Sequence, residues 1–198
     1  MLRVVEAKAT TADWGHVRPV LSSAEDLVAP AGWFELVTIG NAFHRLRRDQ
    51  VAAKAYEWLT PGGHLAICWS DVPWLGPLDW QQALSETLER WKAHLGAGDR
   101  IPPAWETPRQ QRPDLEVLAD AGFSIVGRRS LLVDHPWTLV DLVGFVYATS
   151  FLPRSVVGAS ASDFEADIAK RVGHYAQDGT LFQTVSFAYE LGQRPCLS

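Results

Sequence analysis

Residues 21–44 read LSSAEDLVAPAGWFELVTIGNAFH, and the fold turns on how this stretch is parsed. Phe34–Gly40 (FELVTIG) is apolar enough to be buried on both faces, which is the pattern of a parallel strand. Gly40, Asn41, Ala42, Phe43 and His44 then stand just past its carboxyl end. In open α/β sheets, ligands bind outside the carboxyl ends of strands, so a ligand is expected beside these residues. A plainer reading stands next to it: Gly40 only permits a tight turn, and Phe43 is core.

Downstream, Asp49 can cap a helix running through Trp58. Thr60-Pro61-Gly62-Gly63 stops that helix, and residues 64–70 (HLAICWS) form the next buried strand. Strand, helix and strand with short joints make a βαβ unit with parallel strands, which places the chain among α/β folds. Upstream, Leu2, Val5 and Ala9 have helical spacing within 2–12, and VRPVL (17–21) reads as a short strand despite Pro19. An amphipathic helix at 79–95 carries Trp80, Leu84, Leu88 and Trp91. Residues 96–113 are rich in Gly and Pro and read as a loop. A short helix at 114–121 closes at Gly122, and a strand follows at 123–133. Helices are expected at 137–151 and 162–176, and a final alternating strand at 181–191, antiparallel to 123–133.

Composition narrows the function classes. The chain has 198 residues, 47% hydrophobic and 21% charged, enough for one domain with a sizeable core. A formal charge of −5 argues against a nucleic-acid backbone as partner. Its one basic cluster, Arg45, Arg47 and Arg48, reads as a solvated surface. The longest apolar stretch, 139–152, contains Asp141 and is too short to cross a bilayer, so no membrane partner is expected. Cys68 lies in an apolar run and Cys196 near the C-terminus, with no C-x-x-C pair, so the reducing cytoplasm is the expected compartment. The six histidines lack metal-ligand spacing and no metal site is expected. There is no G-x-S-x-G elbow and no Walker loop. Gly96-Ala97-Gly98 follows a helix rather than a strand, which is the wrong context for a cofactor loop.

The ordered series resembles a class I S-adenosylmethionine (SAM)-dependent methyltransferase of the type 11-like kind. S-A-E-D-L (23–27), the F-E-L-V-T strand, G-N-A-F-H, then L-T-P-G-G (59–63) and HLAICW follow one another as in that family. Trp137-Thr138, Phe164-Glu165 and the closing Leu191-Gly192-Gln193-Arg194-Pro195 match in style. The resemblance implies an incomplete Rossmann-like fold, a mostly parallel sheet with an antiparallel C-terminal strand. It also implies methyl transfer from SAM to a small-molecule acceptor, in a setting such as secondary metabolism. Ser23 and Ala24 would flank the adenine, Gly40, Asn41 and Ala42 would form the turn beside the methionine part, and His44 would face the transferred methyl as candidate base. Residues 72–115, with Trp74, Trp80, Trp91 and Trp105, would cover the substrate.

The departures from the family pattern matter. Serine stands where an acidic side chain often accepts the adenine amino group. The first strand with its G-x-G-x-G loop, and the second with its ribose-binding acid, do not occur in the sequence. Against the family's strand order 3-2-1-4-5-7-6, the fourth strand would be left as an exposed apolar edge. A segment upstream of Met1 or a homodimer would cover it. Weak or absent SAM binding is therefore expected of this chain. A non-catalytic, methyltransferase-like interaction module is the alternative.

Overall fold

In the computed structural model, which describes residues 2–100 and 107–196, helix α1 (Leu2–Thr11) leads to strand β1 (Phe34–Gly40). Helix α2 (Arg48–Trp58) and strand β2 (Leu59–Ser70) follow, then helices α3 (Asp79–His94), α4 (Thr107–Gln111) and α5 (Asp114–Asp120). Strand β3 (Ser124–Trp137) comes next, then helices α6 (Leu139–Tyr147), α7 (Arg154–Val157) and α8 (Ala161–Val172), and finally strand β4 (Leu181–Gln193). The four strands form one sheet in the order β1-β2-β4-β3. β1 and β2 are parallel, and β4 is antiparallel to both of its neighbours. The order is the 4-5-7-6 end of the expected arrangement. Strands β1, β2 and β3 therefore run in the same direction and only the C-terminal β4 runs against them, which is the expected mostly parallel sheet with an antiparallel C-terminal strand.

Two layers cover the sheet. One is built on α2 and α5, whose Val51, Ala52, Ala55, Val117 and Leu118 bury against Leu65 and Ile67 of β2. The other gathers Trp80, Leu84 and Leu88 of α3, Leu142 and Val146 of α6, and Phe164, Ile168 and Val172 of α8 around Trp137 and Leu181. β4 serves both layers, and its burial changes parity on the way. Leu181, Gln183 and Val185 are buried in its first half, then Ala188 and Glu190, with Gly192 against Phe123 and Leu118. An alternating sequence reports two faces but not which layer lies over each.

Several sequence expectations are corrected. Residues 17–21 form no strand; Pro19 lacks a ladder donor, and β1 is the edge of the described sheet. Helix α2 begins at Arg48, so Asp49 sits in the first turn rather than at the cap. There it favours the positive helix end and pairs with Arg112 at 2.7 Å. The L-T-P-G-G run belongs to β2. Its glycines have separate reasons. Gly62 has φ +84°, and a Cβ on Gly63 would lie 2.9 Å from the Thr60 carbonyl and 3.1 Å from those of Phe34 and Glu35. The stretch 96–113 is not wholly loop, since it holds a helical turn at Gly98–Arg100 and helix α4.

Candidate functional site

The turn after β1 is built around Asn41, which has φ +48°, a conformation that Asn tolerates better than most residues. Its backbone N–H donates to the Cys68 carbonyl at 2.8 Å, and its side-chain oxygen accepts the Ser70 N–H at 3.2 Å. Its side-chain amide reaches the Ser70 hydroxyl at 3.4 Å. Asn41 therefore straps the carboxyl ends of β1 and β2 together, and what it offers a ligand is backbone. A Cβ on Gly40 would meet nothing within 4 Å, so the space beside the strand end is open. Ala42 accepts the Arg45 N–H at 2.8 Å, and Phe43, 2% exposed, anchors the turn in the core.

The 23–27 turn lies against the start of α2. Gln50 reaches the Glu25 carbonyl at 3.4 Å, and Lys54 donates to the carbonyls of Glu25 and Leu27. Glu25 accepts the Arg47 backbone N–H at 2.9 Å, which holds its carboxyl below the usual range. Ala24 packs against the same cluster as Phe43, so the two predicted segments converge on one layer. The Ser23 hydroxyl is already engaged, donating to the Asp26 carboxylate at 2.7 Å and accepting the Asp26 N–H at 3.1 Å.

His44 is half-buried, and burial, followed by the charges of Arg45 and Arg109, pushes its pKa down, with Asp114 opposing. The ring is thus biased toward the neutral form that a base needs. Arg45 Nε donates to His44 Nε2 at 3.3 Å, so that nitrogen is engaged. The Arg45 guanidinium also donates to the Ser150 hydroxyl at 2.6 Å, while Arg100 Nε reaches the Ser150 carbonyl at 3.0 Å. These bonds tie the turn to the segment after α6.

The sequence reading missed a polar cluster beside the turn. Asp114 has a fully buried carboxylate that accepts Arg48 at 2.8 Å and Arg109 Nε at 2.5 Å. Arg48, expected on a solvated surface, has an 11% exposed side chain. Asp114 recruits it, because a buried carboxylate needs charged partners. Asp114, Trp69, Arg109, Arg128 and Glu190 line an open cleft of about 320 Å³. Of the expected substrate cover, Trp80 is buried and donates to the Phe182 carbonyl at 3.2 Å, and Trp91 donates to Asp167 at 2.9 Å. Both are structural in the helical layer. Trp74 meets Phe145 at a tilt and Phe151 edge to face, and Trp105 lies outside the described residues.

The space at Gly40 is open, and Ala24 is half-buried against the same layer, so a cofactor such as SAM would find one wall here. The sequence has no glycine-rich turn between a strand and a helix, and Glu25 and Asp26, the carboxylates beside Ala24, are both engaged. Among the described residues no group of His, Cys, Asp and Glu could hold a metal ion. None of the described helices is long and apolar enough to cross a membrane.

No family model and no curated protein sequence matches the chain. Solved structures do. A provisionally named type II methyltransferase from Anaeromyxobacter dehalogenans aligns over 90% of this chain and 72% of its own, at 16% identity and TM-score 0.58. The [4+2]-cyclase SpnF aligns over 99% of this chain at 17% identity and TM-score 0.51, and the YcgJ protein from Bacillus subtilis over 98% at 14% and 0.50. The chain spans 63% of the cyclase and 78% of YcgJ. The fold is that of the class I SAM-dependent methyltransferases, represented here by its 4-5-7-6 strands. A methyltransferase and a cyclase share it, so the fold does not decide the reaction.

Proposed function

We propose that the chain carries part of a SAM-dependent methyltransferase acting on a small molecule, and that on its own it binds SAM weakly or not at all. The supporting observation is the open turn 40–42 at the carboxyl end of β1, next to β2 in the 4-5-7-6 order. Ala24 would rest against the adenine through its backbone, and Gly40, Asn41 and Ala42 would line the methionine part. When bound, SAM supplies a methyl group on a sulfonium, open to direct displacement, so the protein's task is positioning. His44, biased to the neutral form, would take a proton from the acceptor once Arg45 releases Nε2. Residues 72–115 would close over the acceptor, with Trp74 and its aromatic partners as an apolar wall.

Titration of the isotope-labelled chain with millimolar S-adenosylhomocysteine tests the residue assignment. Amide signals of Ala24, Gly40, Asn41 and Ala42 are expected to shift first. Shifts confined to other residues would sink it. The second reading, a non-catalytic interaction module, is favoured by the apolar edge: Trp33 is 71% and Leu36 55% exposed beside β1. The partner we propose for that edge is a second copy of the chain.

A further inference from the structure

Glu190 is 7% exposed, and its Oε2 has no hydrogen-bond partner among the described residues. Leaving such an oxygen unpaired is costly, and buried polar groups are almost always satisfied. Glu190 lines the cleft bounded by Trp69, Asp114 and Arg128. Its cross-strand partner in register is Arg128. Opposite charges at facing positions ordinarily pair, yet these two form no salt bridge within 4.0 Å. Arg128 instead lays its guanidinium 4.8 Å from the Trp69 ring centroid, and Arg109 lies 4.5 Å from the same ring.

The other charged groups of the cluster each have an ionic partner. Asp114 takes both Arg48 and Arg109. What remains along the cleft is the Glu190 carboxyl group and the Arg128 guanidinium, at facing positions of two strands and each without an ionic partner among the described residues. A simple anion would satisfy Arg128 and leave Glu190 worse off. A simple cation would do the reverse. A ligand bearing both charges satisfies both, and about 320 Å³ accommodates one of modest size.

We propose that the cleft between Trp69, Arg128 and Glu190 binds a small zwitterion of the amino-acid type, its ammonium held by the Glu190 carboxyl group and its carboxylate by the Arg128 guanidinium. Burial and the nearby Asp114 push the Glu190 pKa up, and an ammonium beside it would return the carboxyl to its charged form. The site does not depend on the methyl-transfer reading, since none of its residues belongs to the turn 40–42.

The test is calorimetric titration of the full chain with glycine, β-alanine and γ-aminobutyrate, three zwitterions of increasing charge separation. Acetate and ethylammonium serve as single-charge controls. At least one zwitterion is expected to bind about tenfold or more tighter than either control. Glu190→Gln and the exposed Arg128→Gln should each weaken it about tenfold or more, whereas Glu190→Gln should not weaken acetate. Acetate or ethylammonium binding as tightly as the best zwitterion would overturn the proposal. So would no saturation by any zwitterion up to about 50 mM, or zwitterion binding unchanged in Arg128→Gln.

Discussion

At the scale of the residue, Glu190 holds its carboxyl where it costs stability. Burial raises its pKa, so the folded state keeps a proton that the unfolded chain gives up. The stability that this proton confers is complete below the unfolded value of 4.5 and is lost as pH rises through the folded value. Glu190→Gln keeps the shape and removes the titration. Urea unfolding at pH 4.5 and pH 8 should therefore show the variant gaining on the parent as pH rises. An equal difference at both pH values would mean that the carboxyl is satisfied in the folded protein. Glu190 was not legible as a site residue because alternation along 181–191 marks inward positions without telling which layer covers them. Arg48 was misread for a related reason: its partner Asp114 lies 66 residues away. By contrast, residues 40–42 were legible at a strand end, where position follows from pattern alone. The role of Asn41 as a strap was not, since Ser70 is 29 residues distant.

At the scale of the element, helix α2 is closed by a residue from the far end of the chain. The Arg194 guanidinium donates to the carbonyls of Tyr56 at 3.1 Å, Glu57 at 3.3 Å and Leu59 at 2.5 Å, and lies 5.0 Å from the Tyr56 ring centroid. A cation at a helix C-terminus satisfies orphan carbonyls and complements the dipole. Arg194→Ala should lower the unfolding free energy by about 1.5–3 kcal/mol, the range for hydrogen bonds to charged groups. Arg194→Lys should recover only part of that, because an ammonium lacks the planar fork. Chemical denaturation of both variants checks the expectation, and a loss below about 0.5 kcal/mol would assign the contact to a solvated surface. Element types read well from the sequence, including the α2 end at Trp58 and the antiparallel β3–β4 pair. Starts and stops read poorly where tertiary contacts set them. β2 gains its first five residues because Phe34 pairs with Leu59 across an irregular register. β3 runs on to Trp137 because β4 continues to pair with it as far as Leu181.

At the scale of the whole molecule, the sheet ends at β1 among exposed apolar side chains. Unpaired strand edges of this kind invite association. If a second copy covers the edge, sedimentation at about 10–100 µM should give a dimer, and Leu36→Lys should return it to monomer. A monomer throughout that range would remove the homodimer proposal. The larger proposal is that the chain, which has the methyltransferase fold, would offer SAM only one wall of a cofactor site. A glycine cradle and a ribose carboxylate each contribute charge-assisted hydrogen bonds worth about 1.5–3 kcal/mol. Lacking both, the chain should bind SAM about two to four decades more weakly than a complete site would. Calorimetric titration of the monomeric 198-residue chain with SAM measures this directly. A dissociation constant weaker than about 100 µM, or no detectable heat, is the expected result. Binding at about 1 µM would contradict the claim and place a complete cofactor pocket within these residues.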